Sequence, residues 1–189
     1  MRSLCFILFS FFATCSFAQD KMKAKQSPFK FETIVQGGLL IGDHAEAATI
    51  QTVNGFALNN WYAGIGVGLD FYMQRGVPLF ADLRYHFSEG RKAFFIYTDA
   101  GVHLPWIKNK DGRNIISQSA GLYTDAGIGI RIATKKQDAF LISAGYSYKH
   151  VKEKQEGFNW QPWPQPSGQT VLNYDYRFNR VVLKFGFQF

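Results

Sequence analysis

The stretch Val181-Val182-Leu183-Lys184-Phe185-Gly186-Phe187-Gln188-Phe189 decides the reading of this chain. Apolar residues occupy 181, 183, 185, 187 and 189. Alternate side chains of a strand share a face, so these five point the same way. Lys184, Gly186 and Gln188 fall on the opposite face, which therefore cannot be an ordinary hydrophobic core. The apolar face must still be hidden from water, and lipid would hide it.

The same two-residue period recurs upstream. Eight alternating segments separated by turn signals lie near 29–41, 48–58, 61–72, 79–88, 93–104, 117–133, 139–151 and 171–189. In the third, Trp61, Ala63, Ile65, Val67, Leu69 and Phe71 oppose Tyr62, Gly64, Gly66, Gly68, Asp70 and Tyr72. In the fourth, Leu79, Ala81, Leu83, Tyr85 and Phe87 oppose Phe80, Asp82, Arg84, His86 and Ser88. The sixth sets Ala120, Leu122, Ala126, Ile128, Ile130 and Ile132 against Tyr123, Asp125, Gly127, Gly129 and Arg131. The segment 48–58 has no clear polar face, and its orientation stays open. Eight is the smallest even strand number of a membrane barrel. The pattern predicts an all-β chain, an eight-stranded antiparallel up-and-down transmembrane β-barrel, apolar outside and polar inside.

This alternation and its terminal aromatic resemble the small eight-stranded bacterial outer-membrane β-barrel proteins of the OmpA/OmpX-like superfamily. The resemblance implies residence in the cell outer membrane among its lipids, with both barrel termini periplasmic. It also implies that Val181, Leu183, Phe185, Phe187 and Phe189 form an assembly signal for the barrel-assembly machinery. On that topology the periplasmic turns fall at Asn59-Asn60, Ser88 to Lys92 and Thr134 to Asp138, all short. The outer loops fall at Gly42 to Ala47, Met73 to Pro78, Pro105 to Ile116 and Lys152 to Thr170. Short inner and long outer connections are the rule in such barrels.

At the other end, Arg2 precedes an apolar run from Leu4 to Phe12, and Ser16-Phe17-Ala18 offers small residues before a cut. Residues 1–18 read as a signal peptide, 19–28 as a short periplasmic segment, and 29–189 as the barrel. Cys5 and Cys15 are the only cysteines, so the chain after Ala18 has no disulfide or thiolate metal site. The formal charge of +7 comes from scattered Lys and Arg, which suit turns and anionic headgroups better than nucleic acid.

Among candidate sites, the inward positions bring together Glu32, Asp70, Asp82, Asp99 and Asp125 with Arg84, Arg131, Lys149 and Lys184. An eight-stranded lumen is filled by its own side chains, which makes these groups a structural ion network. A register opposing 70 and 82 would set two carboxylates side by side with Arg84 on the diagonal. Glycines at 64, 66 and 68 clear room for large lumen side chains such as Tyr62, Tyr72 and Tyr123, and no dinucleotide fingerprint is formed. The histidines lack metal-ligand spacing, and neither metal nor cofactor is expected. Ser143, Ser147, His150, His44 and Glu46 are the rim residues to inspect for hydrolytic chemistry, although no local sequence marks a nucleophile. Trp160 and Trp163, in the proline-rich run after Gly157, could anchor an extracellular ligand or surface or fold onto the lipid interface. The expectation is a closed-lumen outer-membrane barrel with a structural or surface-interaction role and no catalysis. The rivals are a lipid-modifying outer-membrane enzyme and a soluble lipocalin-like ligand-binding barrel.

Overall fold

The computed structural model describes residues 29–43, 45–73, 75–88, 90–106, 115–134, 138–158 and 169–189. The expectations placed on residues 1–28, His44, Trp160 and Trp163 lie outside these. Nine strands follow in chain order: β1 Lys30–Gly42, β2 Glu46–Leu58, β3 Trp61–Asp70, β4 Gly76–His86, β5 Lys92–Pro105, β6 Ile115–Ser119, β7 Gly121–Ala133, β8 Ala139–Phe158 and β9 Gln169–Gln188. Each strand is antiparallel to its neighbours, in the ring β1–β2–β3–β4–β5–β7–β8–β9, and β9 returns to β1. The barrel is closed and eight-stranded, because β6 only continues the line of β7 along β8. Tyr123 opposes Lys149 while Ser119 opposes Lys152, so the register slips by one residue at Ala120. That bulge divides the segment expected to run unbroken over 117–133.

Alternation holds all round the ring. Outside, Ile65, Phe94 and Ile128 are 69%, 68% and 67% exposed. A water-soluble chain would bury such groups, since each costs about 1.5–3 kcal/mol left in water. Inside, Ile34, Val53, Tyr62, Phe80, Phe95, Tyr97, Tyr123 and Leu141 pack together, and charged groups are interleaved with them, Arg84 lying over the rings of Tyr62, Phe95 and Tyr97. The open orientation of 48–58 is settled, with Gln51 and Val53 buried and Ile50 and Phe56 exposed. Gly66 supplies interior room for one particular partner: the ring of Phe80 lies where a Cβ would be.

Asn59 turns β2 into β3 with φ 52°, a left-handed conformation that asparagine tolerates, as the Asn59-Asn60 turn anticipated. The largest departure from expectation is at the opposite end. A loop was expected from Lys152, yet β8 continues to Phe158 and pairs with β9 from Gln169 onward. The run Lys152 to Gln155 is charged and polar but still alternates, Lys152 and Lys154 exposed and Glu153 buried. It pairs across to Asp175, Asn173, Tyr174 and Leu172. The last β1–β9 pair is Gly42 with Arg180, so Gln169–Asn179 rises beyond the ring by roughly 35 Å along the strand.

Candidate functional site

The lumen holds two layers of charge. In the middle layer, Asp82, Asp99 and Asp125 stand in one row across β4, β5 and β7. Arg84 lies two residues beyond Asp82 on the same face and grips it through Nε at 2.9 and 3.0 Å and Nη2 at 2.7 Å. Lys184 reaches across from β9 to Asp125 at 2.8 Å and Asp99 at 3.3 Å. Tyr97 donates to Asp125 at 2.8 Å, and its ring lies 4.2 Å from the Lys184 nitrogen. Amides extend the layer: Gln36 donates to Gln51, which donates to Tyr123.

The upper layer centres on Asp70, which accepts from Arg180 at 2.6 Å and meets Lys149 at 3.2 Å. Arg180 also donates to Ser147 at 2.8 Å, and Lys149 to the carbonyl of Tyr72 at 2.9 Å. Tyr72 and Phe178, edge to face, close the layer against the mouth. Three carboxylates face two cations in the middle and one faces two above, so the layers balance only together. Toward the inner end Glu32 accepts from Gln188, Lys30 lies 2.8 Å from Glu32, and Arg131 donates to Gln188 at 3.0 Å.

The inward set read from the sequence is thus brought into the lumen, with three differences. Asp82 opposes Gly64 and Asp99, whereas Asp70 opposes Gly76 and Thr49, so the supposed 70–82 pair does not form. β3 ends at Asp70 and β4 begins at Gly76, with Met73 at φ 47° in the short connection, and this sets the register. Arg180 and Glu153, both buried, were missing from the set although they share faces with Lys184 and Lys149. Arg131 is only partly buried and belongs to the inner end rather than the central layers.

The hydrolytic candidates separate. Ser143 and Ser147 face the lumen, while His150 faces outward on β8 and meets Asp175 at 2.8 Å. Glu46 is exposed at the start of β2. Among the described residues no three His, Cys, Asp or Glu side chains group in a way that could hold a metal ion. Outside the ring Arg177 Nε lies 3.5 Å from Asp175. Slight desolvation would raise the Asp175 carboxyl, but the hydrogen bond and charge of His150, with Arg177 and Lys152, hold it below the usual carboxylate range.

The chain is similar in structure to the N-terminal β-barrel domain of Pseudomonas aeruginosa OprF, at 14% identity over 87% of this chain and 100% of that one, with a TM-score of 0.53. Neisserial surface protein A matches at 13% identity over 86% of this chain and 96% of its own, TM-score 0.47. Outer membrane protein AlkL, solved in lipid bilayers, matches at 12% identity over 90% and 95%, TM-score 0.45. The OprF likeness shows a shared fold, the closed antiparallel barrel of outer-membrane proteins. No protein-family model and no curated protein sequence matches the chain.

Proposed function

We propose that the protein is an integral outer-membrane barrel with a closed lumen, acting as a structural or surface-interaction component through the β8–β9 ribbon and the outer connections. The observation that carries this reading is the filled lumen inside an apolar wall. Lys149, Arg180 and Lys184 each hold a carboxylate across the bore, and Arg84 holds Asp82 beside it on β4, which leaves side chains where a pore would need water. Both ends of the barrel chain lie at the end with the short turns, so the ribbon faces out of the cell and Val181 to Phe189 serve the assembly machinery. The lipid-modifying alternative gains no support from Ser147 and His150, which lie on opposite faces of β8.

Two measurements test the reading. Purified protein in planar bilayers should give no large, stable conductance, and steady porin-like current would overturn the closed lumen. Protease added to intact cells should cut near Lys152 and Lys154; cleavage there only after the outer membrane is breached would reverse the orientation.

A further inference from the structure

The outer wall is not uniformly convex. Where Gly37 and Ala144 stand among Leu39, Ile142, Leu183 and Phe185, the wall of β1, β9, β8 and β7 sinks into an apolar groove of about 740 Å³. Its rows are in register: Gly37 and Ile142 both oppose Phe185, while Leu39 and Ala144 both oppose Leu183. Along the same two strands toward the ribbon, the outward face passes Tyr146 and Val181, then Tyr148 and Asn179, and becomes basic. His150 opposes Arg177, Lys152 opposes Asp175, and Lys154 follows. Among the described side chains, three permanent cations there face one carboxylate. Asp175 binds His150 closely and touches Arg177 only through Nε, leaving Lys152 and Lys154 exposed beside it.

The spacing identifies the occupant. From Leu183 to Arg177 the strand covers about 20 Å at ~3.3 Å per residue. A tilt of roughly 40° makes that about 15 Å along the membrane normal. Half of a ~30 Å hydrocarbon core is the same depth. A headgroup at Arg177 would therefore set its acyl tails in the groove near the midplane. The geometry points to a bound outer-leaflet lipid of a particular class, acylated and phosphate-bearing, with phosphate on Arg177, Lys152 and Lys154 and acyl chains in the Gly37–Ala144 groove. Lysine and arginine are the usual phosphate donors, and the charge-assisted contacts fix the headgroup while the groove supplies apolar area. This inference rests on the membrane placement and outward ribbon proposed above.

The test uses full-length protein in nanodiscs of phosphatidylcholine carrying a minor fraction of a diphosphorylated hexa-acyl glycolipid, with retained lipid counted by native mass spectrometry. Two variants split the site. Lys152→Gln/Lys154→Gln/Arg177→Gln removes the cations, and Gly37→Leu/Ala144→Leu fills the groove. A Cβ at Gly37 would meet nothing nearer than the Thr49 carbonyl at 3.8 Å, so the filled variant should still fold. Each variant should retain the glycolipid about tenfold less than wild type. The dephosphorylated lipid should bind wild type as weakly as the phosphorylated one binds the cation-free variant, and inorganic phosphate should not compete. Equal retention by all three proteins, equal affinity for the dephosphorylated lipid, displacement by free phosphate, or a lipid-independent dimer seated on the groove would each overturn the inference. Heat-modifiable migration and protease cleavage on intact cells report the underlying reading separately. If these behave as expected while retention is unselective, only the lipid site falls.

Discussion

The two walls of a single strand differ in what they ask of their residues. On β9 the inward Arg180, Val182, Lys184 and Gln188 are 3% exposed or less, while the outward Val181, Leu183 and Phe185 are between 48% and 58% exposed. Each of these inward charges has a named partner on another strand, whereas the outward groups meet neighbouring apolar side chains, as Phe185 does Phe140, and the surrounding solvent. The inner wall is therefore specific and the outer wall generic: inside, a substitution fails by leaving a partner unpaired, and outside it fails only by bringing charge into hydrocarbon.

That contrast orders the expected effects, read as unfolding free energies from urea titration in lipid vesicles. Arg180→Leu should cost most, about 3–5 kcal/mol, because it leaves Asp70 and Ser147 buried without their shared donor. Val67→Arg on the outside of β3 should cost about 2–4 kcal/mol, the usual toll of arginine near the midplane of a barrel wall. A loss for Arg180→Leu smaller than for Val67→Leu would break the contrast outright. Gly66→Ala should cost about 1–3 kcal/mol by forcing the Phe80 ring aside, an effect of shape and not of charge. Val67→Leu, apolar for apolar on the generic wall, should change stability by no more than about 0.5 kcal/mol.

Much of this was legible in the sequence because a strand's period is two. Parity alone places Asp82, Asp99, Asp125 and Lys184 inside and Val67, Leu83 and Phe185 outside. Parity says nothing of register, which connections set: the β3–β4 connection puts Asp82 opposite Gly64, the β4–β5 connection puts it opposite Asp99, and no periodicity contains that. Arg180 was within reach, since it lies two inward positions from Lys184. The run Lys152 to Gln155 was obscured by its charge, which suggests a loop until its pairing with Leu172 to Asp175 is seen. The glycines at 64, 66 and 68 all read as space for side chains, but a Cβ at Gly64 or Gly68 would first meet neighbouring backbone. Only Gly66 receives a ring. The groove was invisible because it depends on which strands neighbour one another: Gly37 and Ala144 lie far apart in the chain and meet only through β9.

The most direct test of an apolar outer wall around a paired polar lumen needs no substitution. Wild-type protein with labelled Val, Leu and Ile methyls, in nanodiscs of protonated and then deuterated lipid, should show contacts to lipid methylenes from Val181 and Leu183 but none from Val182 between them. The same split should separate Val67 and Ile128 on the outside from Val53, Leu141 and Val151 within. Lipid contacts of equal strength at 181, 182 and 183, or water contacts at Val181 and Leu183, would contradict the account.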